Sequence, residues 1–145
     1  MLTMLSFSSC ANKAQSVDLS QVSFEGLTIG DNLGQIDLDK YTEKHNVSDH
    51  YTYNFEEWRI SVGNSAITEM MASFDQVSIS VNGKEDCYTV DDIIDALGTS
   101  YRSSWYDREQ SLMQLQYFDK EKGIQCSFIY DKNSNSLVWG IMQKV

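Results

Sequence analysis

The sequence predicts an α+β fold: short helices packed on one face of an antiparallel β-sheet, in two halves that line up as tandem half-repeats. Three observations predict it. Between residues 112 and 141, three runs alternate apolar and polar side chains across short polar turns. That is the pattern of an antiparallel meander with one buried face. Residues 89–98 set apolar side chains at helical spacing between a start and a stop signal. A fainter version of the same order runs from Gly26 to Ser73: a glycine-bearing segment, a short helix, an aromatic strand, a turn and a strand.

Taken in order, residues 1–23 read as a signal remnant, a lipidation site and a tether. Leu2, Met4, Leu5 and Phe7 form a short apolar stretch, Ser8 and Ser9 are small, Cys10 follows, and Ala11 to Ser23 is small and polar. The stretch is shorter than a full signal core, and whether the chain starts upstream of Met1 is left open. A frayed hydrophobic N-terminus is the plainer alternative.

Residues 24–145 read as one domain, with half-repeats 24–82 and 83–145. Leu38 to Lys44 is a candidate short helix. Tyr51, Tyr53 and Phe55 alternate, Trp58, Ile60 and Val62 alternate in the other register, and Glu56-Glu57 marks a bulge where the two join. Ala66 to Ser73 and Val77 to Val81 are further strands, the second ending at the Asn82-Gly83 turn. Thr89-Val90-Asp91-Asp92 opens a helix, Val90, Ile93, Ile94 and Leu97 share its apolar stripe, and Gly98 stops it. A linker spans Thr99 to Gln110. Leu112 to Phe118, Ile124 to Tyr130 and Leu137 to Ile141 are the meander strands.

Charge and composition bound the function. Forty-one per cent hydrophobic residues suffice for a packed core, so disorder is a poor description. The formal charge of −10 is spread along the chain, which excludes nucleic acid as a partner and disfavours a polybasic membrane contact. No apolar run approaches the length of a membrane-spanning helix.

Two resemblances follow from these residues. Ser8-Ser9-Cys10 after the apolar stretch resembles the lipobox of bacterial lipoproteins, and the whole chain looks like the small lipoproteins of Gram-positive bacteria. That likeness implies acylation at Cys10 and a place in the cell envelope, lipid-anchored outside the cytoplasmic membrane. The unit Tyr88 to Gly98, with the aromatic segment and meander after it, resembles the module of BamE/SmpA-type envelope lipoproteins and of β-lactamase-inhibitor-like proteins. Gly26 to Gly34 is fainter in the same sense. These likenesses imply an exported, non-enzymatic module that binds a protein partner in an inhibitor, immunity or scaffold role.

Candidate site residues are few. Tyr101, Arg102, Trp105, Tyr106 and Arg108 are of the types that dominate protein–protein hot spots. The bland alternative has Trp105 and Tyr106 plugging the sheet while the arginines pair with local acids. With Cys10 set aside, Cys87 and Cys126 form an even pair suited to a disulfide, or are buried thiols. His45 and His50 flank Asp49 without a third well-spaced ligand, so no metal is expected. Asp131, Asn133 and Asn135 start like a calcium loop, but Ser136 and Met142 stand where glycine and glutamate are needed, so a hairpin turn is expected. No phosphate loop or nucleophile elbow is present, and no cofactor is expected. The rival functional readings are a small envelope enzyme acting on cell-wall or lipid substrates and a cytoplasmic domain.

Overall fold

A computed structural model describes residues 15–45 and 50–145. The strands are β1 (Val22–Phe24), β2 (Tyr53–Asn54), β3 (Trp58–Gly63), β4 (Ala66–Ser73), β5 (Ile79–Val81), β6 (Arg102–Asp107), β7 (Leu112–Asp119), β8 (Ile124–Asp131) and β9 (Leu137–Lys144). The α-helix is α1 (Val90–Leu97), and 3-10 turns cover Leu33–Gln35 and Leu38–Lys40. Seven strands form one antiparallel sheet in the order β2-β3-β4-β9-β8-β7-β6, and β1 pairs with β5 as a second, two-stranded sheet.

This corrects the expected α+β layout. The fold is mostly antiparallel β, with one α-helix of eight residues among the described residues rather than several helices over the sheet. The helix expected over 38–44 is a single 3-10 turn, and strands of both halves contribute to one sheet, joined where β4 pairs with β9. Propensity misled at 38–44 because Asp37 and Asp39 favour local caps over a continuing helix: the Asp37 carboxylate accepts the Asp39 N–H at 3.0 Å.

Alternation sets the two faces of the sheet. Trp58, Ile60, Met70, Gly140, Met142, Cys126, Phe128, Leu115 and Tyr117 share one face by register, and except Gly140 they are core residues. The β1–β5 pair, α1 and the N-terminal segment cover that face. A Cβ on Gly140 would come within 3.0 Å of Phe24 Cζ and 3.5 Å of Ile79 Cδ1, so glycine is what lets the small sheet seat on β9. Phe55 and Trp58 close a tight turn, with the Phe55 N–H donating to the Trp58 carbonyl. Glu56-Glu57 is thus a hairpin turn, and the register shift lies at Ser61/Val62 instead.

α1 begins as its sequence requires. The Asp92 carboxylate accepts the N–H groups of Tyr88 (2.8 Å) and Thr89 (3.0 Å), closing the start of the helix. Val90, Ile93 and Leu97 are buried, and Gly98, at φ 89°, ends the helix. Its carbonyl accepts the Tyr117 hydroxyl at 2.8 Å.

The expected tether is also corrected. Ser16 bridges Phe118, and Leu19 and Val22 are fully buried, so the folded body begins before residue 24. The cause is Asp119, a buried carboxylate that accepts the Leu19 N–H at 3.0 Å and the Lys122 N–H at 3.0 Å. Cys10 and residues 1–14 lie outside the described residues, as does Asp49. No helix among the described residues is long and apolar enough to cross a membrane.

Candidate functional site

The segment read as a linker is strand β6, the last strand on one side of the large sheet. Its sequence, Arg-Ser-Ser-Trp-Tyr-Asp, lacks apolar alternation because its residues are exposed or half-buried on both sides. β7 alone holds it, with Arg102 opposite Gln116 and Trp105 opposite Met113 and a register shift between Trp105 and Asp107. The strand at the other margin, β2, has only two residues.

The five candidate residues do not form one cluster. Tyr101 turns inward, its ring 5.7 Å from that of Tyr117. Arg102 is exposed, with its guanidinium 5.3 Å over the Phe118 ring. Tyr106 sits at the register shift and is 42 % exposed. Trp105 and Arg108 do meet. The Arg108 guanidinium lies 5.2 Å from the Trp105 ring, and the Lys132 ammonium lies 4.9 Å from it. Sequence reasoning missed Lys132, which the Asp131–Asn135 turn delivers from the neighbouring hairpin. That turn is built as expected for a hairpin, the Asp131 carboxylate accepting the Asn133 N–H at 2.7 Å.

The face of the large sheet turned away from the core was not singled out in the sequence. By register it carries Gln114 and Gln116 on β7, Gln125, Ser127 and Ile129 on β8, and Trp139, Ile141 and Gln143 on β9. Gln116 and Gln125 each donate an amide N–H to the Ser127 hydroxyl, at 3.3 and 3.4 Å, and Gln114 donates to Ser104 at 3.1 Å. Ile129 is fully buried yet stands apart from the main core. Glu69 on β4 accepts from the Tyr51 hydroxyl (2.8 Å) and meets His50 Nε2 at 3.0 Å. Burial, then the hydrogen bond and charge of Glu69, push the Tyr51 phenol upward, and Tyr106 adds to the shift. Tyr51 precedes β2 and Tyr106 lies in β6, at opposite margins.

The expected disulfide is corrected: Cys87 and Cys126 are buried free thiols. Cys126 stands mid-sheet with Tyr117 and Met142 opposite, and full burial pushes its thiol well up. Cys87 precedes α1 and donates its S–H toward the Lys84 carbonyl at 3.9 Å. Burial, then Asp92, raises it too. Cys87 borders a depression of about 370 Å³ with Phe74, Asp75, Tyr88, Ser136 and Leu137. A second, of about 410 Å³, is lined by Ile29, Ile67 and Ile124 together with Lys122 and Lys144. A third, of about 350 Å³, lies among Asp18, Asp119, Glu121 and Lys122. His45 is exposed and His50 engages Glu69. Among the described residues, no group of three or more His, Cys, Asp or Glu is arranged to hold a metal.

Comparison with family models, curated proteins and solved structures returns no match.

Proposed function

We propose that the chain is a non-enzymatic, exported binding module that captures a protein partner along strand β6. One observation carries this reading. β6 is a six-residue margin strand, whereas the opposite margin is cut to two residues. Margin strands present unpaired main-chain groups that template another strand, and folded domains ordinarily blunt them. An extended segment of a partner laid along β6 would take its affinity from those groups. Trp105, held between Arg108 and Lys132, would supply the side-chain anchor, since a preset aromatic–cation stack loses little entropy on binding.

Selection of peptides from a displayed random library against the full chain tests the reading. Ser103→Pro and Ser104→Pro, made separately, differ in which side of β6 loses its N–H, because neighbouring residues in a strand point their N–H groups oppositely. One of the two is expected to abolish peptide binding with an unchanged melting temperature. Failure to enrich any peptide, or retention of the peptides by both folded variants, would overturn it. The envelope placement rests on Ser8-Ser9-Cys10. Labelling cells with a fatty-acid analogue should mark the wild type and spare Cys10→Ser; an unlabelled wild type removes the anchor and leaves the β6 reading standing.

A further inference from the structure

The face of the large sheet turned away from the core has a chemistry that β6 does not share. Between the row of Gln114, Ile129 and Trp139 and the row of Phe118, Gln125 and Gln143, strands β7, β8 and β9 place no charged side chain on it. The chain as a whole carries −10, and Arg102 over Phe118 and Glu69 opposite Gln143 flank these strands, so the neutrality is local to the three strands. In place of charge stand amides on adjacent strands, which neighbour one another about 4.8 Å apart. Ser127, 3 % exposed, anchors two of them by accepting from Gln116 and Gln125. Each such bond uses one amide hydrogen, while a glutamine has two donors and a two-lone-pair acceptor. That leaves an N–H and a carbonyl on each amide, on side chains already held by Ser127 and Ser104.

The chemistry of the face selects its occupant. An apolar protein surface would strand these amides without partners, at about 1–3 kcal/mol for each buried unsatisfied group. A nucleic acid needs clustered cations, which strands β7, β8 and β9 lack. An extended peptide needs free main-chain groups, and on the face of a sheet these are already paired. A neutral, hydroxyl-rich chain meets none of these objections. Vicinal hydroxyls match an amide's paired donor and acceptor, and the apolar side of a sugar ring suits half-buried Trp139 beside Ile141.

We propose that this amide-lined face is a binding site for a neutral glycan chain, with Gln114, Gln116 and Gln125 as the hydrogen-bonding floor and Trp139 as the stacking surface. The site is separate from the β6 margin and goes beyond the protein-binding role.

The test is calorimetric titration of the full chain with two neutral hexasaccharides, cellohexaose and the hexamer of N-acetylglucosamine, alongside polygalacturonate as an acidic control. Binding of at least one neutral hexamer is expected. It should weaken about tenfold in the double variant Gln116→Ala/Gln125→Ala, the equivalent of one to two hydrogen bonds, and in Trp139→Ala, with peptides selected on β6 still bound. The double variant removes only half-buried side chains, so it keeps the test open should Trp139→Ala misfold. No binding of either neutral hexamer at millimolar concentration would overturn the proposal. So would equal affinity in the double variant, or tighter binding of the polyanion. Dimerisation lost in the double variant would assign the face to a second copy of the chain and overturn it as well.

Discussion

The two faces of the seven-stranded sheet are built from alternate residues of the same strands, and they have opposite designs. On β8, Cys126 and Phe128 enter a close-packed layer beneath the β1–β5 pair, while Gln125 and Ser127 belong to an amide network on the opposite side, half-buried at its glutamines. A covered face tolerates no change of volume because every side chain there touches others. An open face with ordered polar groups gains little stability from them, so their arrangement is free to answer to something other than folding.

Four measurements press on this contrast. Phe128→Ala, on the covered side, should destabilise the domain by about 3–5 kcal/mol in denaturant unfolding; a loss below about 1 kcal/mol would mean the cover is loosely packed. Gly140→Ala should cost about 1–3 kcal/mol through overpacking, since its methyl would press on Phe24 Cζ at 3.0 Å. Adding Phe24→Leu should recover part of that loss if the small sheet is the obstacle. Asp92→Ala, at the head of the helix that completes the cover, should cost about 1 kcal/mol. The N–H groups of Tyr88 and Thr89, with Lys84, hold Asp92 down from 3.8 to about 2. A carboxyl whose folded-state pKa is lowered contributes stability above its ordinary pKa, and that contribution fades as pH falls through the folded value. The gap in melting temperature between wild type and Asp92→Ala should therefore be full at pH 5 and shrink toward pH 2. Gln125→Ala, on the open side, should stay within about 0.5 kcal/mol of wild type. A larger loss would make the amide network a folding element and blur the distinction between the faces.

How much of this was legible follows from the same physics. α1 and the strands β7 to β9 were readable because each announces itself locally, the helix by its Thr89–Asp92 start and Gly98 stop, the strands by period two and polar turns. β6 was not, because a margin strand open on both sides needs no alternation; Ser103 and Ser104 look like linker whichever way they point. Residues 16–23 passed for a tether because the partner that fixes them, Asp119, lies a hundred positions from Leu19. Of the candidate site, the pairing of Trp105 with Arg108 was within reach of the sequence, and Lys132 was not. The amide face did leave a trace: Gln114, Gln116 and Gln125 occupy the polar beats of successive strands. It went unread because polar beats are what any half-exposed strand shows.

The place of β9 in the sheet bears on how the chain is made. This strand follows all the others in sequence, yet it lies between β4 and β8 and is the piece that unites the two parts of the sheet. A ribosome that has delivered everything up to the Asp131–Asn135 turn has delivered two fragments with bare facing edges and nothing to join them. Pairings so distant in sequence form slowly, and half-finished sheets with open edges are prone to aggregate. A chain threaded through a membrane before it folds would meet this difficulty only once, on the far side, with its keystone already in hand.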